Sequence, residues 1–257
     1  MKLSQGFFSL SILSALTACN GLPQGQVQGQ DVMVHLPITL PSATPDPNST
    51  PTPVPSPTPI PSPTDLPVGS SCHSGDTSKY CIGLKYVVYE DSSAKPVVSQ
   101  SGALSNLATI NQIWSQCKIS FQIDEYLVTD PTQQKLRFNT ANDSELDQIR
   151  NAYDDGLHFL VVTTGTWDRS GTLGNTGANA WTNLPGDAIF GSILESPVGI
   201  YPNIIAHELG HYMNLNHVSD TGDLMNPIIY DGSTNLYTSQ CSIARASLAS
   251  YWTQVLR

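Results

Sequence analysis

An α+β (mixed α/β) fold with a twisted sheet, a histidine-bearing helix, a methionine-containing turn and a C-terminal helix is the fold class the sequence predicts. Three observations predict it. Short runs rich in β-branched and aromatic residues alternate with segments whose apolar residues recur at helical spacing. One run, Leu157 to Thr163, is apolar enough for a central strand buried on both faces. Finally, His207-Glu208-Leu209-Gly210-His211 places two histidines one turn apart on a single helix face, and His217 follows after a short reversal.

In chain order, Leu84 to Glu90, rich in Val and Tyr, reads as the first strand. Ala103 to Trp114 carries Leu104, Leu107, Ile110 and Trp114 at helical spacing and reads as a core helix. Ile119 to Val128 reads as a second strand, Glu145 to Tyr153 as a short helix, and Leu157 to Thr163 as the central strand. Gly171 to Pro185, rich in Gly and Asn, reads as an irregular loop. In the histidine helix, Pro202 suits the first turn, where a missing N–H costs nothing. Ile204, Ile205, Leu209 and Tyr212 supply its apolar face. Ser239 is expected to cap a last helix that packs through Ile243, Ala246, Leu248 and Trp252.

The histidine helix carries the chemistry. Two imidazoles four residues apart can reach one ion, and Glu208 beside the first can face water at that ion, which is the pattern of a zinc site with a built-in general base. After His211 the chain must turn back, and Asn214 stands where the turn falls; asparagine tolerates the left-handed conformation. His217 then arrives as a third nitrogen ligand. Three protein ligands with one open position characterise catalytic zinc, whereas structural sites close with four. His35, His73 and His158 lack ligand spacing and read as incidental.

The stretch from His207 to His217, followed by Met225 in Asp223-Leu224-Met225-Asn226-Pro227, resembles the metzincin metallopeptidases, whose signature is His-Glu-x-x-His-x-x-Gly-x-x-His with a downstream methionine turn. The wording is most similar to the matrixin and pappalysin-like branches. Asn214 stands in place of the signature glycine, and Pro227 stands where astacin-like members carry a tyrosine ligand. The resemblance implies a metzincin-like zincin fold and a zinc endopeptidase acting on protein or peptide substrates. One catalytic Zn2+ would be held by His207, His211 and His217, with Glu208 as general base and Met225 as an apolar floor. Gly186-Asp187-Ala188-Ile189-Phe190 is similar to a matrixin strand, but Ile189 and Gly191 replace its ligands. A second, structural zinc and Ca2+ are therefore not supported. The same comparison makes Gly177 to Thr182 an edge strand on which Gly177, Ala178, Asn179, Ala180 and Trp181 would hold substrate main chain. Ile228, Ile229 and Tyr230 would border the pocket for the residue after the scissile bond. The alternative is a non-catalytic zinc-containing surface binding module or adhesin on the same fold.

The rest of the chain concerns location. Residues 1–18 read as a signal peptide, with Lys2 ahead of a short apolar stretch from Phe7 to Ala18. Leu16-Thr17-Ala18-Cys19 resembles a bacterial lipobox, implying lipidation at Cys19 and attachment to the cell envelope, at the outer membrane or cell surface. Residues 19–68 turn from Gln and Gly to alternating Pro, Thr and Ser, a composition for an extended spacer without a core. Residues 69–257 are then the folded domain, expected to act as a monomer that meets the membrane only through its anchor. A formal charge of −10 argues against nucleic acid as a partner. Cys72, Cys81, Cys117 and Cys241 remain as an even set in an exported domain, which permits three pairings. Cys72 with Cys81 and Cys117 with Cys241 is the preferred one; Cys72 as a zinc-blocking cysteine is the rival.

Overall fold

Five strands, all parallel but one, make the sheet on which the site rests. The computed structural model describes residues 16–17, 67–186 and 189–257. The described residues belong to one compact unit. Residues 1–15 and 18–66, which include Cys19, His35 and nearly all of the expected spacer at 19–68, lie outside the described residues, as do Asp187 and Ala188.

The elements run β1 (Leu16–Thr17), β2 (Tyr80–Tyr89), α1 (Gln100–Trp114), β3 (Ile119–Thr129), α2 (Asp143–Tyr153), β4 (Phe159–Thr163), β5 (Ala180–Trp181), β6 (Ser192–Leu194), α3 (Pro202–Tyr212), β7 (Ile228–Ile229) and α4 (Thr238–Tyr251). The sheet order is β3-β2-β4-β6-β5, with only β5 antiparallel to its neighbour; β1 and β7 pair separately as an antiparallel ribbon. Parallel strands need crossover connections, and α1 and α2 provide those from β2 to its neighbour β3 and from β3 past β2 to β4. Alternate residues of the strands face opposite cores. Leu84, Tyr86, Val88, Phe159 and Val161 share one core with α1, α3 and α4; Val87, Tyr89, Leu160, Val162 and Ile193 share the other with α2.

Local chemistry explains where elements begin. Ser99 Oγ accepts from Gly102 N–H at 3.1 Å, so α1 starts earlier than its apolar spacing indicates. Asn142 Oδ1 accepts from Glu145 N–H, while Glu145 Oε2 accepts from Ala141 N–H, so α2 starts at Asp143. Two expectations need correction. Ser239 lies inside α4, whose N-cap is Tyr237, with Gln240 Oε1 accepting from Tyr237 N–H at 2.6 Å. Its buried face is Ala244, Ser247 and Leu248, leaving Ile243 and Ala246 exposed, because Cys241 and Arg245 tie the helix to the end of α1. The strand expected at Gly186 to Phe190 is absent from Ile189 and Phe190; β6 starts at Ser192.

The bridges are Cys72–Cys81 and Cys117–Cys241, the preferred pairing, so Cys72 is not available as a metal-blocking thiol. The segment from Gly171 to Pro185, expected to be irregular, holds a 3-10 turn at Thr172–Asn175 and the short strand β5, and is irregular elsewhere. It is fastened to β6 through buried Glu195, whose carboxylate meets the Arg169 guanidinium, the Asn179 amide and, at 2.9 Å, Trp167 N–H. Among the described residues no helix is long and apolar enough to cross a membrane.

Candidate metal centre

Helix α3 is held rigidly at several points. Pro202 sits in its first turn, and every residue from Ile204 to Tyr212 is buried. The Trp114 indole of α1 donates to Ala206 O at 3.2 Å, and the Trp252 indole donates to Tyr212 O at 2.8 Å, capping the far end. The Tyr212 ring stacks on Phe159 of β4 with centroids 4.2 Å apart. A helix so fixed presents His207 and His211 with little freedom.

The reversal after the helix occurs as the asparagine predicts. Asn214 has φ +65°, and Leu215 N–H returns to Gly210 O at 3.0 Å. This brings His217 back to the helix. His211 Nε2 and His217 Nε2 lie 3.0 and 3.3 Å from His207 Nε2.

Those distances mean something only with the tautomers in view. His207 Nδ1 lies 2.7 Å from Leu224 O, and His211 Nδ1 lies 2.7 Å from Leu215 O. A carbonyl can only accept, so each Nδ1 carries the proton and each Nε2 of a neutral ring presents a lone pair. Burial, and then the neighbouring imidazoles, hold His207 well below the ordinary histidine pKa; the same causes bring His211 down to about 4, and burial lowers His217. Neutral rings with lone pairs at about 3 Å repel one another unless a cation lies between them. Two nitrogens bound tetrahedrally to one zinc at about 2.0–2.1 Å stand roughly 3.3 Å apart. The donor set fits a zinc ion, and among the described residues it is the one group of three that can hold a metal.

The turn carrying Met225 supports this group from below. Asp223 Oδ1 accepts from Met225 N–H at 2.7 Å and from the Gln240 amide of α4 at 2.9 Å. Val218 N–H returns to Met225 O at 2.9 Å, next to His217. Met225 is fully buried, and a Cβ on Gly210 would come within 2.5 Å of its sulfur. The sequence indicates Met225 but not why position 210 is glycine.

Glu208 is fully buried beside His207. Thr182, just past β5, places its hydroxyl 2.6 Å from Glu208 Oε2, and the Ser192 hydroxyl of β6 lies 2.7 Å from Thr182 Oγ1. Sequence reasoning put Thr182 at the end of an edge strand without a role and did not single out Ser192. No local signal marks either, because the contact depends on how β5 and β6 pair.

The expected substrate residues divide. The edge strand is real but shorter than Gly177 to Thr182: only Ala180 and Trp181 pair with β6, and β5 ends the sheet. Gly177 adopts φ +70°, Ala178 and Ala180 are buried, and Asn179 is taken up by Glu195. Trp181 O accepts from Arg150 at 3.0 Å. On the other side, Ile229 and Tyr230 border a cavity of about 220 Å³ against the start of α3, from Tyr201 to Ile204; Ile228 is exposed and not part of its lining. His73 is exposed. His158 is not incidental but structural: its ring bridges Asp124 and Asp155 beside Arg257.

No family model matches this chain. Among solved structures, the crystal structure of metalloproteinase-II from Bacteroides fragilis aligns with a TM-score of 0.46 at 16% identity, over 67% of this chain. The aligned region is 55% of that protein, so this chain spans little more than half its length.

Proposed function

We propose that this chain is a zinc-dependent endopeptidase of metzincin type, in or near the matrixin and pappalysin-like branches. The observation that carries the proposal is the convergence of three imidazole lone pairs beside a buried glutamate. Zinc in such a site supplies Lewis acidity that polarises a carbonyl and lowers the pKa of water toward neutrality. The chain's own residues do the rest. His207, His211 and His217 hold the ion, with Leu224 O and Leu215 O fixing two of the rings. Glu208 accepts the proton of the attacking water and returns it to the nitrogen of the departing amine. An extended peptide would run alongside β5, the last strand of the sheet, with a neighbouring side chain toward the cavity at the start of α3. Cys19 is the proposed lipid attachment point, and residues 19–68 the spacer that carries the domain away from the envelope.

The test is zinc content and peptide-library cleavage by the full chain and by Glu208→Gln. One zinc per chain in both proteins, with cleavage reduced by at least about 100-fold in the variant, is expected. Unchanged cleavage in Glu208→Gln defeats the mechanism. Zinc without cleavage in the wild type points instead to a zinc-containing binding module.

A further inference from the structure

The Glu208 carboxylate is not oriented by its own helix alone. Its side chain has free torsions, and a proton acceptor displaced by about 1 Å can cost on the order of 100-fold in rate. Thr182 Oγ1 approaches Glu208 Oε2 at 2.6 Å, and Ser192 Oγ approaches Thr182 Oγ1 at 2.7 Å, all within buried residues. A threonine hydroxyl has one hydrogen, and an ionised carboxylate only accepts. The direction follows: Thr182 donates to Glu208, and Ser192 donates to Thr182. Both hydroxyls stand on the sheet, Ser192 in β6 and Thr182 directly after β5, whereas Glu208 stands on α3.

We propose that Thr182, supported by Ser192, is a positioning residue that fixes the plane of the Glu208 carboxylate for proton transfer. The proposal rests on the peptidase reading above. A hydroxyl donor to one carboxylate oxygen restrains the rotation of the group while leaving it a carboxylate, and the donor itself is held by its contact with Ser192. The two strands at the sheet edge thereby orient the proton acceptor. Ser192→Ala removes the support but not the donor, so its effect falls between wild type and loss of Thr182.

The experiment compares full-length Thr182→Val, which keeps the shape and removes the donor, with Thr182→Ser, which keeps the donor. Zinc stoichiometry, kcat and KM on one library-selected peptide, and a crystal structure of each variant are measured. Expected for Thr182→Val is a fall in kcat of about 10- to 100-fold with KM and zinc content unchanged, and a Glu208 carboxylate turned from its wild-type plane. Thr182→Ser is expected to recover most of kcat and the wild-type plane. Wild-type kcat in Thr182→Val, equal losses in both variants, or loss of zinc from Thr182→Val would overturn the proposal. If the wild-type protein cleaves nothing, the peptidase reading fails. The Glu208 plane in the two variant crystals then decides this proposal: turned in valine and restored in serine upholds it, unchanged in valine overturns it.

Discussion

Gly210 shows how much of the site depends on a single absent atom. In the interior of a helix, alanine is favoured over glycine by about 1 kcal/mol. Here a Cβ would stand 2.5 Å from Met225 Sδ and 3.0 Å from its terminal methyl, in a fully buried setting. Overpacking typically costs about 1–3 kcal/mol, which outweighs the helix gain. Gly210→Ala is therefore expected to be less stable to urea by up to about 2 kcal/mol and to lose zinc faster to a chelator. Equal or greater stability would mean that the methionine turn yields more readily than its hydrogen bonds to Asp223 and Val218 suggest. The residues with a local rule behind them were legible in sequence: histidine spacing follows helical periodicity, and Asn214 follows the geometry of φ +65°. Gly210, Thr182 and Ser192 were not, because each is explained by an atom contributed from a segment remote in sequence.

At the level of elements, type was more legible than extent or rotation. The apolar runs located β2 and β4, since parallel strands buried on both faces have little polar alternation, and the β-branched and aromatic residues of β3 located that edge strand. β5 and β6 are two and three residues long, too short for a periodic signal, and the rotation of α4 is set by Cys241 and Arg245. The end of the β2–β3 layer is fastened by side chains that no period reveals. His158 Nε2 lies 3.3 Å from Asp124, its Nδ1 lies 3.0 Å from Asp155, and Arg257 Nε lies 2.6 Å from Asp124. Burial opposes protonation of His158, but its hydrogen bonds to Asp124 and Asp155, with the attraction of Asp155, prevail and raise its pKa above the ordinary value. A raised folded-state pKa gives stabilisation that is fully present below the unfolded value of about 6.5 and is lost as pH rises through the folded value. His158→Gln is accordingly expected to lower urea stability at about pH 5.5 by up to about 1 kcal/mol. The difference from wild type should shrink steadily toward alkaline pH. A difference that grows with pH would show that the neutral ring is the stabilising form.

The whole domain is closed by two bridges of unequal reach. Cys72–Cys81 spans 9 residues of sequence, whereas Cys117–Cys241 spans 124 and joins the end of α1 to α4. The even number of cysteines after Cys19 was readable, and the two bridges follow from it; which sulfurs meet depends on tertiary placement. Restricting the unfolded chain accounts for about 2.6 kcal/mol for the short loop and about 5 kcal/mol for the long one. The long bridge also bears on the metal group. At one end Cys117 follows Trp114, whose indole holds Ala206 in α3; at the other, α4 carries Gln240, which holds Asp223 beneath Met225. Replacing Cys117 and Cys241 by alanine is therefore expected to lower urea stability about twice as much as replacing Cys72 and Cys81. It should also speed zinc loss to a chelator, which the second pair of substitutions should leave near wild type. Equal losses of stability from the two pairs would show that the folded-state contacts around each bridge, and not the length of chain each one closes, decide what it contributes. Unchanged zinc release after loss of the long bridge would show that α1 and α4 hold the histidine helix and the methionine turn without a covalent tie.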